Sequence, residues 1–210
     1  MTLADATLYG ILDLSYIALS DIQPVAQAMI AGGIDIVQLR AKQLPTDQFA
    51  EIALQLAPVF RDAGIPFILN DHPALVPATG AAGAHVGQDD LTVAEARALA
   101  GPGALIGKST HSLAQAIVAT APGAEADYIG FGPLFATPTK PDYTPIGLDD
   151  ILAVHQSTAT PIFCIGGIKL DNLPTVLAAG ARRVVIVSGL LQAPDLADYA
   201  RSLKQLLNPI

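Results

Sequence analysis

Gln38, Arg40 and Lys42 recur at every second position at the end of the apolar stretch Ile34-Asp35-Ile36-Val37-Gln38-Leu39-Arg40-Ala41-Lys42. In a β-strand, period two places Ile34, Ile36, Gln38, Arg40 and Lys42 on one face, and Val37, Leu39 and Ala41 on the other. One face is then apolar through its middle, while the other begins apolar and ends in an amide and two cations. That pattern suits a strand buried on both sides whose end opens into a site for an anion. A solvated strand end with snorkelling cations is the simpler alternative. Other polar groups also follow apolar runs: Asn70-Asp71, Asp89-Asp90, Lys108-Ser109-Thr110-His111, Thr137-Pro138-Thr139-Lys140, Gly166-Gly167 and Ser188-Gly189. Asp71 and Asp90 offer hard oxygen ligands for Mg²⁺, and Arg40, Lys42 and Lys140 could neutralise a diphosphate. Salt bridging among these same groups would use them as well. No nucleophile with an adjacent base stands out.

These residues need a scaffold that brings separate strand ends together. Short apolar strands are predicted over 8–15, 34–40, 66–71, 83–87, 104–109, 126–132, 161–165 and 184–187. Helical spacing is predicted over 21–31, 46–63, 74–79, 93–100, 112–121, 148–155, 172–179 and 196–207. Thr46 is expected to cap the second helix and Pro58 to kink it. The loop 133–145 carries four prolines and must be a shaped connection. Eight alternating β/α units with near-continuous apolar strands point to a single-domain, closed (β/α)8 TIM barrel over 1–210. An open doubly wound sheet is the runner-up, but no Gly-x-Gly-x-x-Gly follows the first strand. In a barrel the active site lies at the C-terminal strand ends, where all the polar groups above fall. Gly166-Gly167 and the small residues after the eighth strand then match the recurrent barrel phosphate site. His85, inside a short apolar strand, reads as structural, His72 and His111 as loop histidines, and His155 as a surface helix residue.

Composition agrees with this reading. Of 210 residues, 51% are hydrophobic and 14% charged, which describes a well-buried globular chain and not a disordered one. A net charge of −8 argues against a general nucleic-acid surface. The lone Cys164 permits no internal disulfide and reads as a buried filler. Nothing resembles a signal peptide or an apolar run of roughly 20 residues, so a cytoplasmic protein without membrane association is expected. The apolar helix exteriors leave homo-oligomerisation open.

Seven segments in order carry a family resemblance: Gln38-Leu39-Arg40-Ala41-Lys42, Asn70-Asp71, His85-Val86-Gly87-Gln88-Asp89-Asp90, Gly107-Lys108-Ser109-Thr110-His111, Gly132-Pro133 with Thr137-Pro138-Thr139-Lys140-Pro141, Ile165-Gly166-Gly167-Ile168, and Val187-Ser188. Together they span nearly the whole chain, which resembles the thiamine-phosphate synthase (thiamin-phosphate pyrophosphorylase) family. The resemblance implies a TIM barrel joining a hydroxymethylpyrimidine diphosphate to a thiazole phosphate by a dissociative route. It implies that Gln38, Arg40, Lys42, Asn70, Ser109 and Lys140 hold the pyrimidine diphosphate, with Arg40, Lys42, Ser109 and Lys140 meeting the charge of the leaving group. By the same resemblance Asp71 and Asp90 ligate Mg²⁺, and Thr137, Thr139, Gly166, Val187 and Ser188 hold the thiazole phosphate beside Gly167. Two positions depart from the family pattern. Ala41 stands where an acidic residue is usual, and His72-Pro73-Ala74 replaces an Arg-x-Asp continuation after Asn70-Asp71. A sister group with the same barrel isomerises a thiazole tautomer using a histidine, and a non-catalytic phosphometabolite-binding barrel is the third alternative. Retention of Arg40, Lys42, Asp71, Asp90 and Lys140 together favours the transferase.

Overall fold

The structure, a computed structural model, describes residues 3, 5–124, 126–137 and 144–207. Eight parallel strands pair in sequence order and close on themselves: β1 (Leu8–Asp13), β2 (Ile36–Arg40), β3 (Phe67–Asn70), β4 (Gly83–Val86), β5 (Leu105–Thr110), β6 (Tyr128–Phe131), β7 (Ile162–Cys164) and β8 (Val184–Ile186). Around them run α1 (Ile22–Ala31), α2 (Thr46–Asp62), α3 (Val76–Thr79), α4 (Val93–Ala100), α5 (Leu113–Ala119), α6 (Ile151–Ser157), α7 (Leu173–Ala178), α8 (Ser188–Leu191) and α9 (Leu196–Leu207). This is the expected TIM barrel.

Alternation divides the apolar residues between two layers. Outward side chains such as Val37, Leu39, Leu69, Ile106 and Ile186 pack against the helices. Inward ones, among them Tyr9, Ile11, Ile36, Ile68, Tyr128, Phe163 and Val185, fill the barrel. Register aligns the inward rows: Ile11 lies opposite Gln38 and Asp13 opposite Arg40. Asn70 likewise pairs with His85, His85 with Gly107, and Ser109 with Gly130. Polar side chains from several strands thus reach one height without any loop having to carry them.

Gly107 makes this inner row possible. A Cβ there would collide with the Tyr128 ring and come within 2.5 Å of His85 Nδ1, so a residue without a side chain lets both rings enter the barrel.

Several local expectations are corrected. Ile34 precedes β2 and packs in the outer layer, so it does not share the inward face of Ile36 and Gln38. Thr46 is the first helical residue of α2 and makes no capping bond; Pro45 is the cap, and its carbonyl accepts from Phe49 N at 3.0 Å. Pro58 lies inside α2, as expected. Ser112 does cap α5, accepting from Gln115 N. Most strands are shorter than their apolar runs, although flanking residues such as Asp71 and Ile165 still donate to the neighbouring strand, at His85 O and Phe131 O. The four-residue α8 after β8 carries no periodic signal of its own. Among the described residues, no helix is long and apolar enough to cross a membrane.

Candidate active site

The C-terminal mouth of the barrel opens into a pocket lined by Gln38, Arg40, Asn70, Ser109, Thr137, Gly166, Gly167, Val187 and Ser188. Residues far apart in the chain therefore share one cavity. Thr139 and Lys140, expected beside them, lie outside the described residues. Lys42, Asp71 and Asp90 stand at the rim next to this cavity and do not line it.

Arg40 enters the mouth already paired. Its Nη1 donates to Asp13 Oδ2 at 2.5 Å, and the Asp13 carboxylate is 1% exposed. The other Asp13 oxygen accepts from Ser15 N at 3.0 Å and Ser15 Oγ at 2.6 Å. Both carboxylate oxygens are thereby satisfied, which is what a buried charge requires, and the Arg40 guanidinium is fixed in direction. Lys42 pairs differently. Its Nζ lies 3.1 Å from Asp71 Oδ2 with the lysine side chain 50% exposed, so this contact is easily exchanged. Salt bridging among the rim groups, the alternative weighed from sequence, is thus realised at Lys42 and Asp71.

Asp71 is held at the end of β3 by a left-handed backbone (φ 63°), which aspartate tolerates better than most residues. Asn70 Nδ2 donates to its Oδ2 at 2.7 Å. Burial pushes the Asp71 carboxyl above its ordinary range, the Lys42 ammonium opposes this, and the neighbouring Asp90 carboxylate pushes it further up. Two carboxylates close enough to repel are a pair that a divalent cation would relieve. Asp90 itself accepts from Gly87 N at 2.7 Å. The loop carrying it is pinned by Lys108, whose Nζ donates to the carbonyls of Gly87 at 2.6 Å and Leu91 at 3.2 Å. Lys108 therefore turns outward from β5 towards this loop, and Gln88 Nε2 donates to the Ser109 carbonyl.

The departure at His72-Pro73-Ala74 is accommodated by packing. The His72 ring stacks at a tilt on Phe49 of α2, centroids 4.2 Å apart, and Pro73–Leu75 forms a single 3-10 turn. Burial lowers the His72 pKa, against the opposing pull of Asp71. Ala41 is buried in the outer layer, so no acidic side chain is missing from the cavity at that position.

On the far side of the pocket Gly166 and Gly167 have φ of 101° and 65°. A Cβ on Gly167 would approach Phe135 Cβ to 2.7 Å and the Ala136 carbonyl to 2.8 Å, so the turn after β7 seats directly on the loop carrying Thr137. His111 joins the same wall through Nδ1 and the Gly132 carbonyl.

The floor was not foreseen. Tyr9, Tyr128 and Phe163 meet edge to face, with centroids 5.5–5.8 Å apart. Burial raises both phenol pKa values well above 10, so both stay un-ionised. Tyr9 Oη accepts from Gln38 Nε2 at 2.8 Å and lies 3.0 Å from Tyr128 Oη. His85 is 3.2 Å from that phenol through Nδ1 and 2.9 Å from Ser109 Oγ through Nε2. His85 thus lines the cavity. The signal was present: Tyr9, Ile11 and Asp13 alternate as Ile36, Gln38 and Arg40 do. Cys164 is buried with its thiol pushed up to about 12, which makes it an inert filler as expected.

Comparison with known proteins adds to this geometry. The family model described as thiamine monophosphate synthase matches residues 8–190. A thiamine-phosphate synthase of Chloroflexus aurantiacus is 45% identical over 185 residues, covering 88% of this chain and 84% of that protein. One from Pelotomaculum thermopropionicum is 40% identical over 208 residues, covering 98% and 94%. Among solved structures, a thiamine phosphate pyrophosphorylase from Pyrococcus furiosus superimposes with a TM-score of 0.85 at 29% identity, covering 96% of this chain and 95% of the other. A 3-hexulose-6-phosphate synthase at 19% identity and TM-score 0.69 shares the fold.

Proposed function

The chain belongs to the thiamine monophosphate synthase family, and from that membership we propose that it is a transferase joining 4-amino-2-methyl-5-hydroxymethylpyrimidine diphosphate to a thiazole phosphate. The products are thiamine phosphate and pyrophosphate. The observation that carries this reading is the layering of the pocket: an un-ionised aromatic floor below a rim where cations and carboxylates alternate. A flat, neutral heterocycle suits the floor and a diphosphate suits the rim.

In the reaction the bond between the methylene carbon and the diphosphate oxygen breaks, and its electron pair leaves with the oxygen. The thiazole nitrogen then donates its lone pair to the methylene carbon. Arg40, oriented by Asp13, and the Ser109 hydroxyl face the charge that grows on the leaving group, and Lys42 reaches it by releasing Asp71. The turn at Gly166-Gly167, with Thr137, Val187 and Ser188, holds the thiazole phosphate at the opposite wall, so that its nitrogen meets the methylene carbon. Asp71 and Asp90 fit Mg²⁺, being two hard oxygen donors whose mutual repulsion a cation would relieve. Bound there, Mg²⁺ supplies positive charge to the diphosphate. No protein nucleophile is needed.

Asp90→Ala tests the metal assignment. The variant should fold and lose turnover at saturating substrates. Turnover at the wild-type rate would contradict it.

A further inference from the structure

The turn after β7 sorts its carbonyls and its N–H groups to opposite sides. Ile165 O accepts from Leu134 N at 2.8 Å and Gly166 O from Phe135 N at 3.1 Å, both on the loop after β6. Gly167 O accepts from Asn172 Nδ2 at 2.9 Å. These peptides are trans, and across a trans peptide the N–H points opposite to the C=O in its plane. The N–H groups of Gly166 and Gly167 therefore point away from the β6 loop, towards the side on which Val187 and Ser188 follow β8. That of Ile168 points away from Asn172. Among the described residues none of these three N–H groups has an acceptor. Gly166, Gly167, Ile168, Val187 and Ser188 all line the pocket. Successive backbone donors left unmatched beside a cavity form a concavity suited to an anion.

Two of the three carbonyls are held by backbone and one by a side chain. Asn172 is the N-cap residue of α7, a type favoured for capping, yet its side chain makes no capping bond. It turns back to the loop instead, donating to Gly167 O and accepting from Lys169 N through Oδ1 at 2.8 Å. A carbonyl only accepts and an N–H only donates, so the two partners fix which way the amide faces. Among the described residues this amide is the only hydrogen-bond partner of the Gly167–Ile168 peptide. Leu170 N, further along, is tied separately to Tyr199 Oη at 2.9 Å. We propose that Asn172 is a positioning residue: by holding the Gly167 carbonyl outward, it keeps the Ile168 N–H aligned with those of Gly166 and Gly167 as donors to the phosphate of the thiazole half. The identity of that anion rests on the function proposed above; the sorting of donors and acceptors in the turn does not.

Calorimetric titration of wild type and Asn172→Ala with two probes, the thiazole phosphate and the corresponding thiazole alcohol, tests this. Wild type should bind the phosphate more tightly than the alcohol. The variant should bind the phosphate roughly tenfold more weakly, the order of one hydrogen bond to a charged group, and the alcohol as wild type does. In turnover its KM for the thiazole phosphate should rise by the same factor, with kcat and the KM for the pyrimidine diphosphate unchanged. Equal weakening of both probes would reduce Asn172 to a support of the wall, and unchanged phosphate binding would show that the turn needs no side chain; either result overturns the proposal. A wild type with no preference for the phosphate overturns it too. Should the variant fail to fold, amide NMR of wild type decides. The phosphate, and not the alcohol, should move the Gly167 and Ile168 amide protons downfield, and an unmoved Ile168 would overturn the proposal. A wild type that prefers the phosphate but releases no pyrophosphate contradicts the function proposed above and leaves Asn172 to be judged by binding alone.

Discussion

Arg40 and Lys42 are two positions apart yet differ in what holds them. Arg40 meets a carboxylate that is 1% exposed and bound on both oxygens, whereas Lys42 meets Asp71 with half its side chain in water. Asp13→Asn should therefore leave Arg40 at the mouth without a fixed direction. Losing one partner of a buried, hydrogen-bonded charge pair costs roughly 2 kcal/mol or more, so kcat/KM for the diphosphate substrate should fall about 30-fold. Steady-state kinetics on Asp13→Asn reads this. Lys42→Ala should raise KM for the same substrate and leave the unfolding free energy within about 0.5 kcal/mol of wild type, because exposed pairs contribute little. Chemical denaturation checks the second half. At this scale the sequence was informative where alternation was followed. Gln38 and Arg40 lie on the expected inward face because period two is a property of the extended backbone. Asp13 and Tyr9 have the same parity on the first strand, but a tyrosine in an apolar run does not announce that its hydroxyl will find a partner more than a hundred residues away.

Elements set how rigidly those residues are presented. In β5, Gly107 opens the space that His85 and the Tyr128 ring occupy. Gly107→Ala overpacks that row, and a loss of roughly 1–3 kcal/mol is expected, together with reduced kcat as His85 is displaced from Ser109. Thermal unfolding and turnover measured on the same sample test both effects. In α6, burial lowers the His155 pKa first, and the Arg182 and Arg183 charges lower it further; Nε2 has no hydrogen-bond partner among the described residues. Its folded pKa lies below the unfolded value near 6.5, so the unfolded chain takes up the proton first. The stability change has a definite sign: none above about pH 7, then a loss as pH falls through the unfolded pKa towards the folded one. His155→Gln should flatten the acid limb of the stability profile, read as Tm against pH. Element types were legible because helical and strand periods differ. Boundaries were less so: the Pro45 carbonyl, and not the Thr46 hydroxyl, starts α2, a choice made by backbone geometry that side-chain preference does not reveal.

Across the molecule, an ionic knot ties α9 to the barrel at the end opposite the pocket. Lys204 Nζ, on α9, contacts both oxygens of Asp35 at 2.7–2.8 Å and Thr7 Oγ1 at 3.1 Å, while Asp35 also accepts from the backbone of Thr7 and Leu8. Asp35 is 2% exposed, so Asp35→Ala should cost roughly 3 kcal/mol by stranding the ammonium and two backbone donors. KM values measured well below the lowered Tm should not change, because the knot is remote from the mouth. The barrel itself was legible in the count and order of apolar runs, since eight parallel strands can satisfy their edges by closing. That closure sorted the strand-end residues onto one rim, although it could not tell which rim cations would already be paired. Release of pyrophosphate by the purified protein, given both phosphorylated halves and then each half alone, with and without Mg²⁺, tests the proposed chemistry most directly. Release that needs both halves and the metal, in equal amount to thiamine phosphate formed, is the expected result. No release under any combination, with the thiazole phosphate still bound, would contradict it.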